Sequence, residues 1–163
     1  MKVKLVPESF NSPTYGHLDW EETLSRMVKF VGSDVKGSYE VIIGTDSEAQ
    51  NGQADFVSAV IVHKKGKGGI YFWGRQKFEN LHSLRQRIWQ EALVSLSVAE
   101  KLVSDFGKIG LFDLNMEIHV DIGPNGPTRE MISEIVGMIR AHNFEVRTKP
   151  ESYAASKVAD RHV

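Results

Sequence analysis

The 163-residue chain has no cysteine. That excludes disulfides, thiolate metal sites and cysteine nucleophiles, and a cytoplasmic location is expected. No apolar run reaches the roughly eighteen residues of a membrane span, so no membrane partner is expected. The opening residues, Met1-Lys2-Val3-Lys4-Leu5-Val6-Pro7, lack the apolar region of a signal peptide. An excess of one charge is missing too. Lys and Arg number 20 against 21 Asp and Glu, a net charge of −1, so any surface for nucleic acid must be a local patch. Internal repeats, low-complexity tracts and long linkers are absent.

What is present is ordinary for a soluble globular chain: 41% apolar and 25% charged residues, enough for one domain with a core over 1–163. Residues 1–36 read as an arm and a helix, and 37–163 as the core. Residues 1–17, with Pro7, Pro13 and Gly16, read as irregular. Asp19 and Glu22 predict a capping box, and Leu24, Met27, Val28 and Val31 follow at helical spacing up to Gly32. Val41-Ile42-Ile43-Gly44-Thr45-Asp46-Ser47-Glu48 then reads as a buried strand ending in a polar turn over residues 48–52. Phe56–His63 and Ile70–Trp73, joined by a glycine- and lysine-rich loop, read as a hairpin. Ser83 and Gln86 predict a second capping box. It opens a long helix with Leu84, Ile88, Ala92, Leu96, Ala99 and Val103 on its inner stripe. Met116–Asp121 alternates as a strand, Met131–Ile139 has helical spacing, Phe144–Thr148 is a short strand, and Ser152 caps a last helix to about Arg161.

Four carboxylates stand where they need an explanation. Asp46 ends an apolar run, and a buried carboxylate is unfavourable unless something pairs with it. Glu91 lies on the core-facing stripe of the long helix; pairing with Arg87, or reaching out to the boundary, would also account for it. Asp121 ends its strand, and Asp160 lies on the last helix. His119 shares a strand face with Asp121, and Gly44 on the neighbouring strand leaves room for it. A role beside the site and a hydrogen-bonded core position are both open to it. Either Ser47 and Glu48 orient a metal ion that would pair with Asp46, or Ser47 serves as a turn residue. His162 reads as terminal surface. Lys64, Lys65 and Lys67 at the hairpin tip, and Arg85 near the start of the long helix, are candidates for phosphate contacts. Solubilising loop charges are the other reading of the lysines.

This order of elements resembles the ribonuclease H fold. The resemblance rests on Asp46 in Gly-Thr-Asp-Ser, Glu91 in Trp-Gln-Glu-Ala, Asp121 in His-Val-Asp-Ile-Gly and Asp160 in Val-Ala-Asp-Arg. A resemblance across nearly the whole chain is to the bacterial YkuK-like ribonuclease H-like proteins. It is carried by Ser12-Pro13-Thr14-Tyr15-Gly16, Ile42-Ile43-Gly44-Thr45-Asp46-Ser47, Lys149-Pro150, Ser152, Ala154-Ala155 and Val158-Ala159-Asp160. The resemblance implies an α/β fold with a five-stranded mixed sheet, order 3-2-1-4-5 counted from the Val41 run, flanked by helices. Only the second strand should oppose the rest, and the N-terminal arm and helix are extra.

It also implies that Asp46, Glu91, Asp121 and Asp160 are catalytic and hold two Mg²⁺ or Mn²⁺ ions, with Asp46 bridging. Phosphodiester cleavage places charge on attacking and leaving oxygens together. Two hard dications about 4 Å apart stabilise both and favour oxygen ligands. The function expected is a metal-dependent nuclease acting on RNA, an RNA–DNA hybrid or branched DNA. The alternative is a non-catalytic nucleic-acid-binding module on the same fold. A nucleotide-driven kinase of the actin-like type normally needs two such domains, and the chain lacks a glycine-rich phosphate loop followed by Lys and Ser or Thr.

Overall fold

The computed structural model describes residues 4–111 and 113–163. Seven strands form one sheet. They are β1 (Ser9–Ser12), β2 (Gly16–Asp19), β3 (Tyr39–Gln50), β4 (Gln53–Lys64), β5 (Gly69–Glu79), β6 (Asn115–His119) and β7 (Glu145–Arg147). Their order is β2-β1-β5-β4-β3-β6-β7. Strands β3 to β7 follow the expected order, as β5-β4-β3-β6-β7, with β4 antiparallel to both neighbours and β6 and β7 parallel to β3. The two further strands correct the sequence reading, which left residues 1–17 irregular. Phe10 and Leu18 are buried, and the Ser12 hydroxyl accepts the N–H groups of Thr14 and Tyr15 to tighten the turn. Four-residue strands are too short for alternation to stand out in the sequence.

β3 and β4 pair along their whole length, from Tyr39 opposite Lys64 to Gln50 opposite Gln53. The expected five-residue turn shrinks to Asn51-Gly52, both at positive φ (54° and 77°), the conformation of a two-residue hairpin turn. Asp46 therefore lies inside a strand and not at its end. β6 stops at His119, opposite Gly44, so β3 runs on past it without a strand on that flank. That vacant flank positions the site.

Helices α1 (Trp20–Gly32), α2 (Leu84–Lys108) and α3 (Ile132–Ala141) share a core with Val41, Ile43, Val60, Val62 and Ile118 on one face of the sheet. Both capping boxes form: Asp19 with Glu22, and Ser83 with Gln86. On α2 the buried stripe runs through Ile88, Ala92, Ala99, Leu102 and Phe106. Leu84 and Val103, expected inside, are exposed, because successive turns of the 3.6-residue period carry the stripe onto Leu102 and Phe106. The other face of β3 and β4 is covered by a wide π-helical turn, Ala154–Ala159, followed by a 3₁₀ turn, Asp160–His162, where a plain helix was expected. Small residues let it lie close: Ala159 packs on Val57 and Ala59.

Candidate carboxylate site

Gly44 admits this terminal segment. A Cβ there would stand 2.6 Å from the carbonyl carbon of Ala154, so the glycine makes room for backbone and not, as expected, for the His119 ring. His119 instead anchors the same segment from the side. Its Nδ1 accepts the Ala154 N–H at 3.2 Å, which leaves Nε2 to donate to Glu117 Oε2 at 3.2 Å. The ring is 2% exposed, lies edge-on to Tyr153, and burial lowers its pKa against the pull of Glu117. His119 is thus a buried, hydrogen-bonded histidine that ties β6 to the terminal segment.

Alternation sends Asp46 and Ser47 to opposite faces of β3. Asp46 faces the terminal segment, which carries Asp160 close enough for the two carboxyls to influence each other. Extending the β3–β6 register by two residues sets Asp46 beside Asp121, which lies just beyond β6 at a turn closed by the Ile122 N–H on the Val120 carbonyl (2.9 Å). Ser47 faces α2 and donates its hydroxyl to Glu91 Oε1 at 2.5 Å. Deeper along the same stripe, Thr45 bonds Ser95 (2.7 Å) and Ser58 (3.1 Å), so this end of the α2–β3 contact is hydroxyl-lined. Glu91 is 4% exposed, and its Oε2 has no partner.

The electrostatics follow from this crowding. Burial, the shared hydrogen bond with Asp160 and the charge of Asp121 raise Asp46 to about 7, against a backbone hydrogen bond from Ser47. Burial raises Glu91 to about 8; the Ser47 hydroxyl and Arg87 pull it down, and the charges of Asp46 and Asp121 push it up. Asp121 has one cation beside it: Lys149 Nζ lies 3.2 Å from Oδ1, but out of line, so that buried oxygen has no aligned donor.

The four acidic residues thus fall around one flank of β3, coupled through Asp46. Among the described residues, no three His, Asp or Glu side chains are already drawn together as a ligand set. The donor chemistry nonetheless suits a hard dication: all are carboxylate oxygens, and two buried ones, Glu91 Oε2 and Asp121 Oδ1, lack hydrogen-bond donors.

The lysine loop is elsewhere. Lys64 sits opposite Tyr39, seven residues from Asp46 along β3, about 23 Å at strand rise. Its ammonium is bound to Asp34 at 2.5 Å. Arg85 is at the carboxylate end of α2 but pairs with Glu134 at 2.8 Å. His162 is not free surface: its ring stacks on Trp73 at 4.4 Å, its Nε2 is 3.0 Å from the Tyr71 hydroxyl, and burial lowers its pKa. Sequence reasoning missed Lys149 beside Asp121, a contact across two loops that no local spacing signals. It also missed a polar cavity of about 420 Å³ lined by Glu40, Glu117, His119, Arg147, Glu151 and Tyr153, although strand alternation does set Glu117 and His119 on one face.

The chain belongs to the ribonuclease H-like family, whose model matches residues 22–163. It is similar to YkuK of Bacillus subtilis (strain 168), an uncharacterized protein, with 31% identity over 166 residues covering 93% of this chain and 95% of that one. Among solved structures it is similar to RNase H1 of Halobacterium salinarum NRC-1, at 16% identity and a TM-score of 0.40, covering 76% of this chain and 99% of that one. It is also similar to LC11-RNase H1 in complex with an RNA/DNA hybrid, at 12% identity and a TM-score of 0.38, covering 75% and 95%. No helix among the described residues is long and apolar enough to cross a membrane.

Proposed function

We propose that the protein is a divalent-metal-dependent nuclease acting on RNA, an RNA–DNA hybrid or branched DNA. The observation that carries this is Glu91: a carboxylate inside the core, with one oxygen unpartnered, beside two other carboxylates on the flank that β6 vacates. A chain that needed only the fold would gain stability from an apolar residue there. Asp46, Glu91, Asp121 and Asp160 would hold Mg²⁺ or Mn²⁺. Bound there, the ions would neutralise charge on the phosphate and activate water. The chain's own part is positional. Ser47 holds Glu91 Oε1, leaving Oε2 for the ion. Arg87 fixes that segment through the Ser47 carbonyl at 3.4 Å, and the His119–Ala154 bond brings Asp160 over Asp46.

The test is cleavage of labelled single-stranded RNA, RNA–DNA hybrid, single-stranded DNA and a four-way junction with Mg²⁺, Mn²⁺ or Ca²⁺. Wild type should cut at least one with Mg²⁺ or Mn²⁺ and poorly with Ca²⁺, whose bonds are longer and coordination looser. Asp46→Asn, Glu91→Gln and Asp121→Asn should each lose about a hundredfold or more, since misplacing reacting groups by about 1 Å has that effect. Binding of one substrate without cleavage would support the non-catalytic module instead.

A further inference from the structure

We propose that Lys149 is a positioning residue of the carboxylate site, an internal counter-cation that holds Asp121 until a divalent ion displaces it and that then presents its ammonium to a substrate phosphate. The proposal rests on the metal-site reading above. Lys149 lies along the Asp121 turn from backbone to tip. Its backbone N–H donates to the Ile122 carbonyl at 2.8 Å, and Nζ lies 3.2 Å from Asp121 Oδ1. Between them the lysine stem crosses Gly123, where a Cβ would stand 2.9 Å from the Lys149 Cβ. The backbone is therefore anchored, and the glycine keeps a channel for the stem. The tip is another matter. The side chain is 49% exposed, and Nζ is out of line with its acceptor, so attraction and not a directed hydrogen bond holds it. Half-exposed pairs of this kind are weak and a dication outcompetes them. Lysine, a compact point charge on a flexible stem, can swing away and remain within reach, where arginine would lock bidentate.

The contrast with Arg147 supports this. Two residues earlier, that guanidinium reaches Glu117 and Glu151 at 3.5 Å each and lines the polar cavity beside His119. Lys149 is the cation on the Asp121 side of this segment, and it stands in the Lys-Pro pair that the carboxylate reading leaves without a role.

The experiment is calorimetric titration of metal-free protein with Mn²⁺ alone. Lys149→Met should bind Mn²⁺ about tenfold more tightly than wild type, because both the competing pair and the like charge are removed. Gly123→Ala, which pushes the stem aside and keeps the charge, should tighten binding by less. Lys149→Arg should stay at or below wild type, and the gain should vanish in Asp121→Asn/Lys149→Met. With a short RNA–DNA hybrid and Mn²⁺, Lys149→Met should lower the salt-dependence slope of binding by about one unit, one phosphate contact. Unchanged Mn²⁺ affinity in Lys149→Met, with Asp46→Asn still weakening it, overturns the proposal and leaves the metal site standing. An unchanged salt slope overturns the phosphate contact. If neither wild type nor Lys149→Met binds Mn²⁺ in an Asp46-dependent way, the metal-site reading fails and this inference falls with it.

Discussion

A single carboxyl, Glu91, links the core to the site, and its titration gives a sign that can be checked. Its folded pKa is about 8 against an ordinary value of 4.5, and that of Asp46 is about 7 against 3.8. The folded state thus binds protons that the unfolded chain releases, so stability must fall as pH rises through that window. Thermal melts in EDTA should show the melting temperature dropping from about pH 5 to about pH 8, and Glu91→Gln should remove a large part of the drop. Saturating Mn²⁺ at pH 8 should restore what ionisation takes away, since a ligand that binds only the folded state stabilises it. A flat pH profile in EDTA would mean that Glu91 is solvated. The tautomer of His119 follows from its partners in the same way: with Nδ1 accepting from Ala154, His119→Gln should loosen the terminal segment more than it alters the core.

At the scale of elements, the segment from Ser152 to His162 acts as a clamp on the sheet. Gly44 is where it touches backbone to strand. Gly44→Ala is expected to destabilise by about 1–3 kcal/mol through overpacking, measured by urea unfolding. It should also weaken Mn²⁺ binding, because the displaced segment carries Asp160. Asp19→Ala, which removes only a cap on the distant α1, should lose about 1 kcal/mol and leave Mn²⁺ binding unchanged. These elements also mark what the sequence made legible. Capping boxes and apolar periodicity are local signals, and they placed α1, α2 and the strands β3 to β7. The carboxylates were legible as residue types on named elements. That Asp46 lies mid-strand was not, because the β3–β4 register is set by the Asn51-Gly52 turn, and the polar residues before it read equally well as loop. The partners of Asp121 and His119 depend on where loops 28 and 35 residues away come to rest, which no short-range pattern encodes.

Across the whole molecule, the carboxylate cluster and the lysine loop lie far apart along the sheet. The carboxylates gather on one flank of β3, while Lys64, Lys65 and Lys67 lie at the far end of the same hairpin, with Lys64 held by Asp34. Lys65→Ala/Lys67→Ala should therefore leave the proposed nuclease activity unchanged, measured with the same substrate panel; a loss would require a substrate long enough to span the strand. The N-terminal hairpin has a consequence of a different kind. β1 lies against β5, with Pro7 over Gly74 and Gln76 donating to the Lys4 carbonyl at 2.9 Å. Without it, the eleven-residue β5 would be the rim of the sheet; with it, the rims are β2 and β7, of four and three residues. Long open rims recruit strands from other molecules. Phe10→Asp, which unseats the hairpin at a fully buried ring, should thus convert a dispersed protein into one whose light scattering grows with concentration. The hairpin is in that sense a guard against self-association, and its contribution would be read in solubility before it was read in catalysis.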